Sequence, residues 1–138
     1  MRENPDPGIP RFRLTAMQRL EDAEILRRNR RFTGAMYMAS YAVECILKAL
    51  LLSRIPNRKQ NEVTNRFRGS IAHNFDWLRH ELGKRKVGIP RELERDFIKV
   101  NTGWAVKLRY LAGPKRADEA DSFLEAVTRL VRWADRSI

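Results

Sequence analysis

Residues 32–52, FTGAMYMASYAVECILKALLL, determine the fold class of this 138-residue chain. The stretch is long enough for about six helical turns. It is apolar on nearly every side, as a helix buried in a protein core or in a membrane is. Glu44 and Lys48 lie inside it, and a membrane-spanning helix rarely tolerates two charges in mid-span. The stretch therefore predicts the central helix of a bundle, running from Phe32 to Arg54, in a protein without a membrane span.

The residues before this helix predict a second, amphipathic one. Thr15 and Gln18 have the spacing of a capping box, in which each side chain satisfies a backbone N–H at the start of a helix. The apolar positions that follow predict a helix that ends near Arg30. The polar and proline-rich start predicts a flexible segment over residues 1–12, and residues 13–138 are predicted to form one helical domain.

The residues after the central helix predict a loop and then three more helices. The polar, basic stretch 57–69 favours a loop with at most a short helical turn. Ser70 is predicted to cap a short helix that stops at Gly83, because glycine commonly follows a helix end. Pro90 is predicted to open the next helix, with an interruption or bend at Thr102–Gly103, and Asp118 to cap the last one. Together these patterns predict an all-α, up-and-down bundle of four to five helices.

Charge and cysteine content limit the classes of function. Lys and Arg number 28 against 17 Asp and Glu, which gives a formal net charge of +11. Such an excess suits an anionic partner, for example a nucleic acid or a nucleotide. The single cysteine, Cys45, excludes an internal disulfide framework and a CxxC zinc site, and two histidines supply little for a metal cluster. We therefore expect no cofactor and no bound metal. The polar, proline-broken start has no pattern of a secretory signal, so we expect a cytoplasmic protein.

Four segments, taken in order, resemble one known family. The segment 34–52, GAMYMASYAVECILKALLL, is similar to the second helix of HEPN domains (higher eukaryotes and prokaryotes nucleotide-binding). The segment 73–78, HNFDWL, resembles the start of a later helix in that family, and 89–93, IPREL, resembles its proline-led helix. The segment 108–110, LRY, followed by Gly113–Pro114, is similar to the segment before the family's last helix.

The resemblance implies a four- to five-helix bundle, often dimeric, and several kinds of function. Members of the family include metal-independent ribonucleases of toxin and defence systems. Others are non-catalytic partners encoded beside a nucleotidyltransferase, and others are nucleotide- or RNA-binding modules. The fold alone does not choose among these functions.

Arg68 and His73 are the candidate catalytic residues. The ribonucleases of the family carry an arginine, four to six residues and then a histidine, and here four residues separate the pair. Imidazole can move protons near neutral pH, and arginine can stabilise charge on phosphoryl oxygens. Gly69 and Phe75 depart from the family pattern, and the pair lies earlier in the chain than usual. In the alternative interpretation, His73 opens a helix and Arg68 is a loop charge.

A polar pocket is predicted around the central helix. Its residues would be Glu44, Lys48, His73, Arg109 and Tyr110. A buried carboxylate requires a cationic partner, and for Glu44 we expect Lys48, His73 or, as first choice, Arg109. The alternative is a structural ion pair that fixes the packing of the helix.

A run of cations, Lys84, Arg85 and Lys86, is the candidate phosphate-binding face. It would converge with five other basic residues, Arg54, Arg58, Lys59, Arg66 and Arg68. The alternative is a solvated charged surface. Trp77 can stack on a base, although a core position is the commoner role for such an aromatic and is the one predicted for Trp104.

Three functions follow from these observations. The first is binding of RNA or a nucleotide through the basic face and the polar pocket, in a toxin or defence system. The second is metal-independent cleavage of RNA by Arg68 and His73 in a dimer. The third is a non-catalytic role beside a nucleotidyltransferase or antitoxin partner. A homodimer is expected in the second case, and a homodimer or a complex with a partner protein in the first.

Overall fold

The computed structural model describes residues 8–67, 73–104 and 115–138, apart from the side chain of Trp104. These residues form six α-helices and a 3-10 turn, Arg91–Leu93, and no strand occurs in the described ranges. The helices are α1 (Ile9–Arg28), α2 (Phe32–Ser53), α3 (Asn57–Arg66), α4 (Phe75–Lys84), α5 (Glu94–Trp104) and α6 (Ala117–Ser137). The predicted all-α class is confirmed.

Helix α2 is the centre of the bundle, as predicted. It packs against α1 and α6, and also against α4 and α5. Fifteen of its 22 residues are buried, including Glu44 and Lys48. Among the described residues it is also the one helix long and apolar enough to cross a membrane, but 78% of its most apolar window is buried inside the fold. Its apolar surface therefore meets the other helices of the bundle.

Helix α1 begins earlier than predicted. Its N-cap is Gly8, Pro10 lies in its first turn, and Thr15 is inside the helix, so the predicted capping box is wrong. Proline is favoured in a first turn because its fixed φ suits the helix and its missing N–H has no partner there. Phe12 packs on the core and meets the ring of Phe67 edge to face. Residues 9–12, assigned above to the flexible segment, are therefore helical.

The stretch predicted as a loop contains helix α3. Thr64 is buried and Val63 packs on the core, which gives the helix one inward side despite its polar sequence. The amide of Gln60 donates to the carbonyls of Leu52 and Ile55, at 3.2 and 3.1 Å. These bonds tie α3 to the last turn of α2 and to the turn that follows it. Helix α3 is thus held by polar contacts that an apolar pattern does not reveal.

Helix α4 differs from its prediction at both ends. It begins at Phe75, and the side chain of Asn74 accepts a hydrogen bond from Trp77 N; the predicted cap, Ser70, lies outside the described residues. At its other end the helix continues through Gly83 to Lys84. The chain then turns at Lys86, which has a left-handed φ of 63°. The predicted stop at Gly83 is therefore one residue short of the observed end of the helix.

The last two helices also differ in detail. Helix α5 runs through Thr102 and Gly103 without the predicted interruption. Gly103 permits close packing there, because a Cβ atom at this position would lie 2.7 Å from the ring of Phe123. Helix α6 has Arg116 at its N-cap, and Asp118 lies inside its first turn, so the predicted Asp118 cap is wrong.

Candidate RNA-binding site

A buried carboxylate on α2 holds two partners. Glu44 Oε2 accepts a hydrogen bond from Lys48 Nζ at 3.0 Å, and Glu44 Oε1 lies 2.7 Å from His73 Nδ1. An ionised carboxylate only accepts, so the imidazole donates from Nδ1. The side chains of Glu44 and Lys48 are 5% and 6% exposed, whereas that of His73 is 40% exposed. The group thus joins the buried face of α2 to a histidine at the surface; we name it the Glu44 cluster.

Aromatic rings connect this cluster to helices α3 and α4. Lys48 Nζ lies 5.1 Å from the centre of the Phe67 ring, which meets the Trp77 ring edge to face at 6.3 Å. The guanidinium of Arg66 lies over the Trp77 ring, 5.3 Å from its centre. The contact with Trp77 holds the Arg66 guanidinium at an aromatic surface while the Arg66 side chain remains 54% exposed. Trp77 itself is half-buried.

A second buried carboxylate, Glu81 on α4, gathers three cations. Its oxygens lie 3.0 Å from Arg85, 3.2 Å from Lys84 and 3.7 Å from Arg66. Burial opposes ionisation of Glu81, but the hydrogen bonds from Arg85 and Lys84 outweigh it, so its pKa lies below the ordinary value. The cations are far more exposed than the acid they surround, 54% for both Arg66 and Lys84. This Glu81 cluster therefore keeps two positive charges in excess at the surface.

A cavity of about 320 Å³ opens beside the Glu81 cluster. Arg66 and Arg85 line it together with Lys59 from α3, and Glu62 is its acidic member. Three cations converging on one concave surface suit an anion of phosphate size, because arginine and lysine are the usual phosphate-binding side chains.

The structure brings together part of the predicted polar pocket and part of the predicted phosphate-binding face. Glu44, Lys48 and His73 meet as expected, and Lys84 and Arg85 converge with Arg66. Lys86 is exposed on the turn that follows them. Arg54 does not join this face, because its guanidinium donates to the Ser137 carbonyl at the end of α6. Arg68, Arg109 and Tyr110 lie outside the described residues.

Cys45 borders the Glu44 cluster as a buried thiol. Its pKa is raised to about 11, chiefly by burial and further by the Glu44 carboxylate, against the opposing effect of Lys48 and Arg19. A thiol that stays protonated near neutral pH is a poor nucleophile and a poor metal ligand. Cys45 therefore acts as a small apolar side chain at this site.

Sequence reasoning missed Glu81. The signal was present, because Lys84 and Arg85 follow it by three and four residues, which are the spacings at which side chains meet on a helix. The contribution of Arg66 comes from another helix and has no such signal. In the part of the chain that the structure describes, no three His, Cys, Asp or Glu side chains gather as metal ligands would.

Comparison with models of protein families identifies the family to which this chain belongs. The model of the family described as "HEPN domain" matches residues 10–137, nearly the whole sequence. No curated protein and no solved structure gives a significant match. The all-α bundle agrees with this family, and membership supports a function within nucleotide binding, RNA binding or RNA cleavage. The chain belongs to the HEPN domain family.

Proposed function

We propose that this protein binds RNA, with the Glu81 cluster holding the phosphate backbone and the Glu44 cluster contacting the adjacent nucleotide. One observation carries the proposal: three cations converge on buried Glu81, and Arg66, Phe67 and Trp77 connect them to the Glu44 cluster. A mononucleotide carries the same phosphate group as RNA, and we propose it as the alternative, smaller ligand of the same site.

Two physical arguments support this assignment. A buried acid beneath exposed cations fixes their positions before a ligand arrives, which reduces the entropy lost on binding. The half-buried Trp77 and the imidazole of His73 offer planar groups next to the cations, and bases stack on such groups in single-stranded RNA. Cations beside aromatic groups are the usual composition of a surface that binds single strands.

Fluorescence anisotropy with a labelled U12 oligonucleotide tests the proposal. We expect the binding constant to fall steeply with salt, because bound cations displace counterions from phosphates. Arg66→Gln/Arg85→Gln should weaken binding by roughly tenfold at low salt. The matched control is Arg91→Gln/Arg132→Gln, which removes two exposed charges elsewhere. Salt-independent binding, or equal losses in both double variants, would contradict the proposed site.

A second candidate function is metal-independent cleavage of RNA. The contact of His73 Nδ1 with Glu44 favours it, because a carboxylate on one ring nitrogen orients the imidazole and fixes its tautomer, as in other general acid–base sites. In this scheme His73 accepts the proton of the attacking 2′-hydroxyl or donates a proton to the leaving oxygen, and Glu44 is a positioning residue. Arg68 is the proposed cation for the phosphoryl oxygens.

Cleavage of RNA in the presence of EDTA tests this second function. The expected products carry cyclic-phosphate or 3′-phosphate ends, and His73→Ala should abolish cleavage. His80→Ala is the matched control, because His80 is the other histidine and is exposed on α4. Glu44→Gln should lower the rate and shift its pH profile, which a purely structural loss would not do. Unchanged cleavage in His73→Ala would remove His73 from the mechanism.

The wider setting proposed is a cytoplasmic toxin or defence system. In it the chain acts as a homodimer or beside a nucleotidyltransferase or antitoxin partner. Light scattering of the purified protein tests the dimer: a mass near 32 kDa supports it and a mass near the chain's own 16.2 kDa contradicts it.

A further inference from the structure

A second basic cavity lies at the turn between α1 and α2, away from the Glu81 cluster. Its volume is about 700 Å³, and it is lined by Leu26, Arg30, Arg31, Phe32, Thr33, Gly34 and Lys115. Three of these residues are cations and none is acidic. The cavity beside the Glu81 cluster, by contrast, contains Glu62.

The arginines of this turn are not neutralised as other arginines of the chain are. Arg79 donates two hydrogen bonds to the carboxylate of Glu94, and Arg129 donates two to that of Asp96. Neither Arg30 nor Arg31 forms an ion pair with any residue that the structure describes, and Lys115 has only a loose contact, 4.0 Å from Glu119. Like charges gathered around a concave surface repel one another, and a bound anion relieves that repulsion.

The backbone at this turn adds an independent observation. Arg30 has a left-handed φ of 60°, in a turn closed by hydrogen bonds from Arg30 N to Arg27 O and from Arg31 N to Leu26 O. Glycine is the usual residue at this position of a helix end, because it adopts positive φ without steric cost. Here the strained position carries a cation, and strained positions concentrate at binding sites.

We propose that Arg30, Arg31 and Lys115 form a second phosphate-binding subsite, which engages the same RNA strand further along. This inference rests on the proposed RNA binding. Glu44 lies thirteen positions after Arg31, the N-cap of α2, which corresponds to about 20 Å along the helix. A stacked single strand covers that distance in about six nucleotides at 3.4 Å each. An oligonucleotide of three residues therefore occupies one site, and one of twelve residues spans both.

The experiment compares labelled U3 and U12 on two double variants of equal charge. Arg30→Gly/Arg31→Gln removes the cations and gives the turn the residue that its φ favours, so the fold is retained. Arg91→Gln/Arg132→Gln is the control. For U12 we expect a loss of roughly tenfold at low salt, and a slope of log K against log salt that is shallower by about 1.4, since each single-strand phosphate contact contributes about 0.7. For U3 we expect no change. Lys115→Gln should shift the U12 slope by about half as much.

Each other outcome overturns the inference. Equal U12 affinity and slope in the variant and the control would remove the cavity from the RNA path. Equal losses of affinity for U3 and U12 in Arg30→Gly/Arg31→Gln would show a general effect of net charge and not a second subsite. Binding of ATP that disappears in Arg30→Gly/Arg31→Gln while U12 is unaffected would assign the cavity to a nucleotide. Failure of the unaltered protein to bind U12 would overturn the proposed function as well. If the variant and the control bind U12 equally while Arg66→Gln/Arg85→Gln loses U3 binding, only the second subsite is overturned and the proposed function stands.

Discussion

One carboxylate, that of Glu44, joins His73 to Lys48. Its two oxygens lie 2.7 Å from His73 Nδ1 and 3.0 Å from Lys48 Nζ. His73 precedes α4 in the chain, so this contact also ties the start of that helix to α2. The same group therefore contributes to the stability of the bundle and to the position of the candidate catalytic imidazole.

Removal of Lys48 should destabilise the fold strongly. In Lys48→Met the buried Glu44 loses its closest cation, and leaving one member of a buried ion pair alone costs about 3–5 kcal/mol. Glu44→Gln should cost less, because it removes the charge and keeps the shape. The double variant Glu44→Gln/Lys48→Met should be more stable than Lys48→Met alone. Urea denaturation of the four proteins checks this, and near-normal stability of Lys48→Met would mean that Glu44 is not dependent on Lys48.

The Glu81 cluster should make stability depend on pH. The pKa of Glu81 is lowered in the folded protein because hydrogen bonds from Arg85 and Lys84 outweigh burial. The stability that it contributes is therefore fully present above its ordinary pKa, about 4.3, and is lost as pH falls through the lower folded value. The difference in free energy of unfolding between the protein and Glu81→Gln should be constant from pH 6 to 7 and shrink below about pH 4.3.

Glu62→Gln is the control for that experiment. Glu62 lines the neighbouring cavity but is exposed. An exposed acid without a buried partner contributes about 0–1 kcal/mol. If the two variants showed the same profile between pH 3 and 7, the pH dependence would not come from the Glu81 cluster.

Cys45 should resist alkylation in the folded protein. Burial, assisted by Glu44, raises its pKa to about 11, so very little thiolate is present at pH 8. We expect iodoacetamide to react with the folded protein on the order of 100-fold more slowly than with the protein in guanidinium chloride. The folded rate should rise with pH up to pH 10. Reaction at the rate of an unfolded thiol would place Cys45 at an accessible position.

The fold was predictable wherever an apolar pattern specifies burial. Helix α2 lies where its apolar composition predicts it. The apolar positions of α6, among them Phe123, Val127 and Leu130, are buried. Helix α3 was not predictable in this way, because Val63 and Thr64 are its inward residues and Gln60 anchors it through hydrogen bonds to another helix. Helix starts were also missed, because Thr15 and Asp118 have the right side chains for caps but lie where the backbone is already helical.

The candidate site was predictable only in part, for a related reason. Glu44 and Lys48 lie four residues apart on one helix, so their contact follows from helical geometry. The convergence of Arg66 on Glu81 joins α3 to α4, and no local spacing encodes it. The same holds for Arg129 of α6, which donates two hydrogen bonds of 2.9 Å to Asp96 of α5.

Gly103 and Gly83 should respond in opposite directions to alanine. A Cβ atom at Gly103 would lie 2.7 Å from the ring of buried Phe123, and such overpacking costs about 1–3 kcal/mol. Nothing lies within 4 Å of a Cβ at Gly83, so alanine there should stabilise α4 by about 0.5–1 kcal/mol through its higher helix propensity. Thermal melts of the two variants check the pair. A stabilised Gly103→Ala would mean that α5 and α6 pack less closely than described.

Lys86→Gly should raise the stability of the fold while weakening the salt dependence of RNA binding. Lys86 has a φ of 63° in a turn closed by hydrogen bonds from Lys86 N to Gly83 O and from Val87 N to Leu82 O. Glycine relieves the steric cost of that conformation, so the free energy of unfolding should rise by about 1 kcal/mol. If Lys86 contacts a phosphate, as its place in the predicted phosphate-binding run of residues 84–86 implies, the slope of log K against log salt for U12 should become shallower by about 0.7. Lys86→Gln removes the same charge without relieving the backbone, so it should reproduce the change in slope and leave stability unaltered. A loss of stability in Lys86→Gly would contradict the strained turn, and an unchanged slope in both variants would exclude Lys86 from the RNA surface.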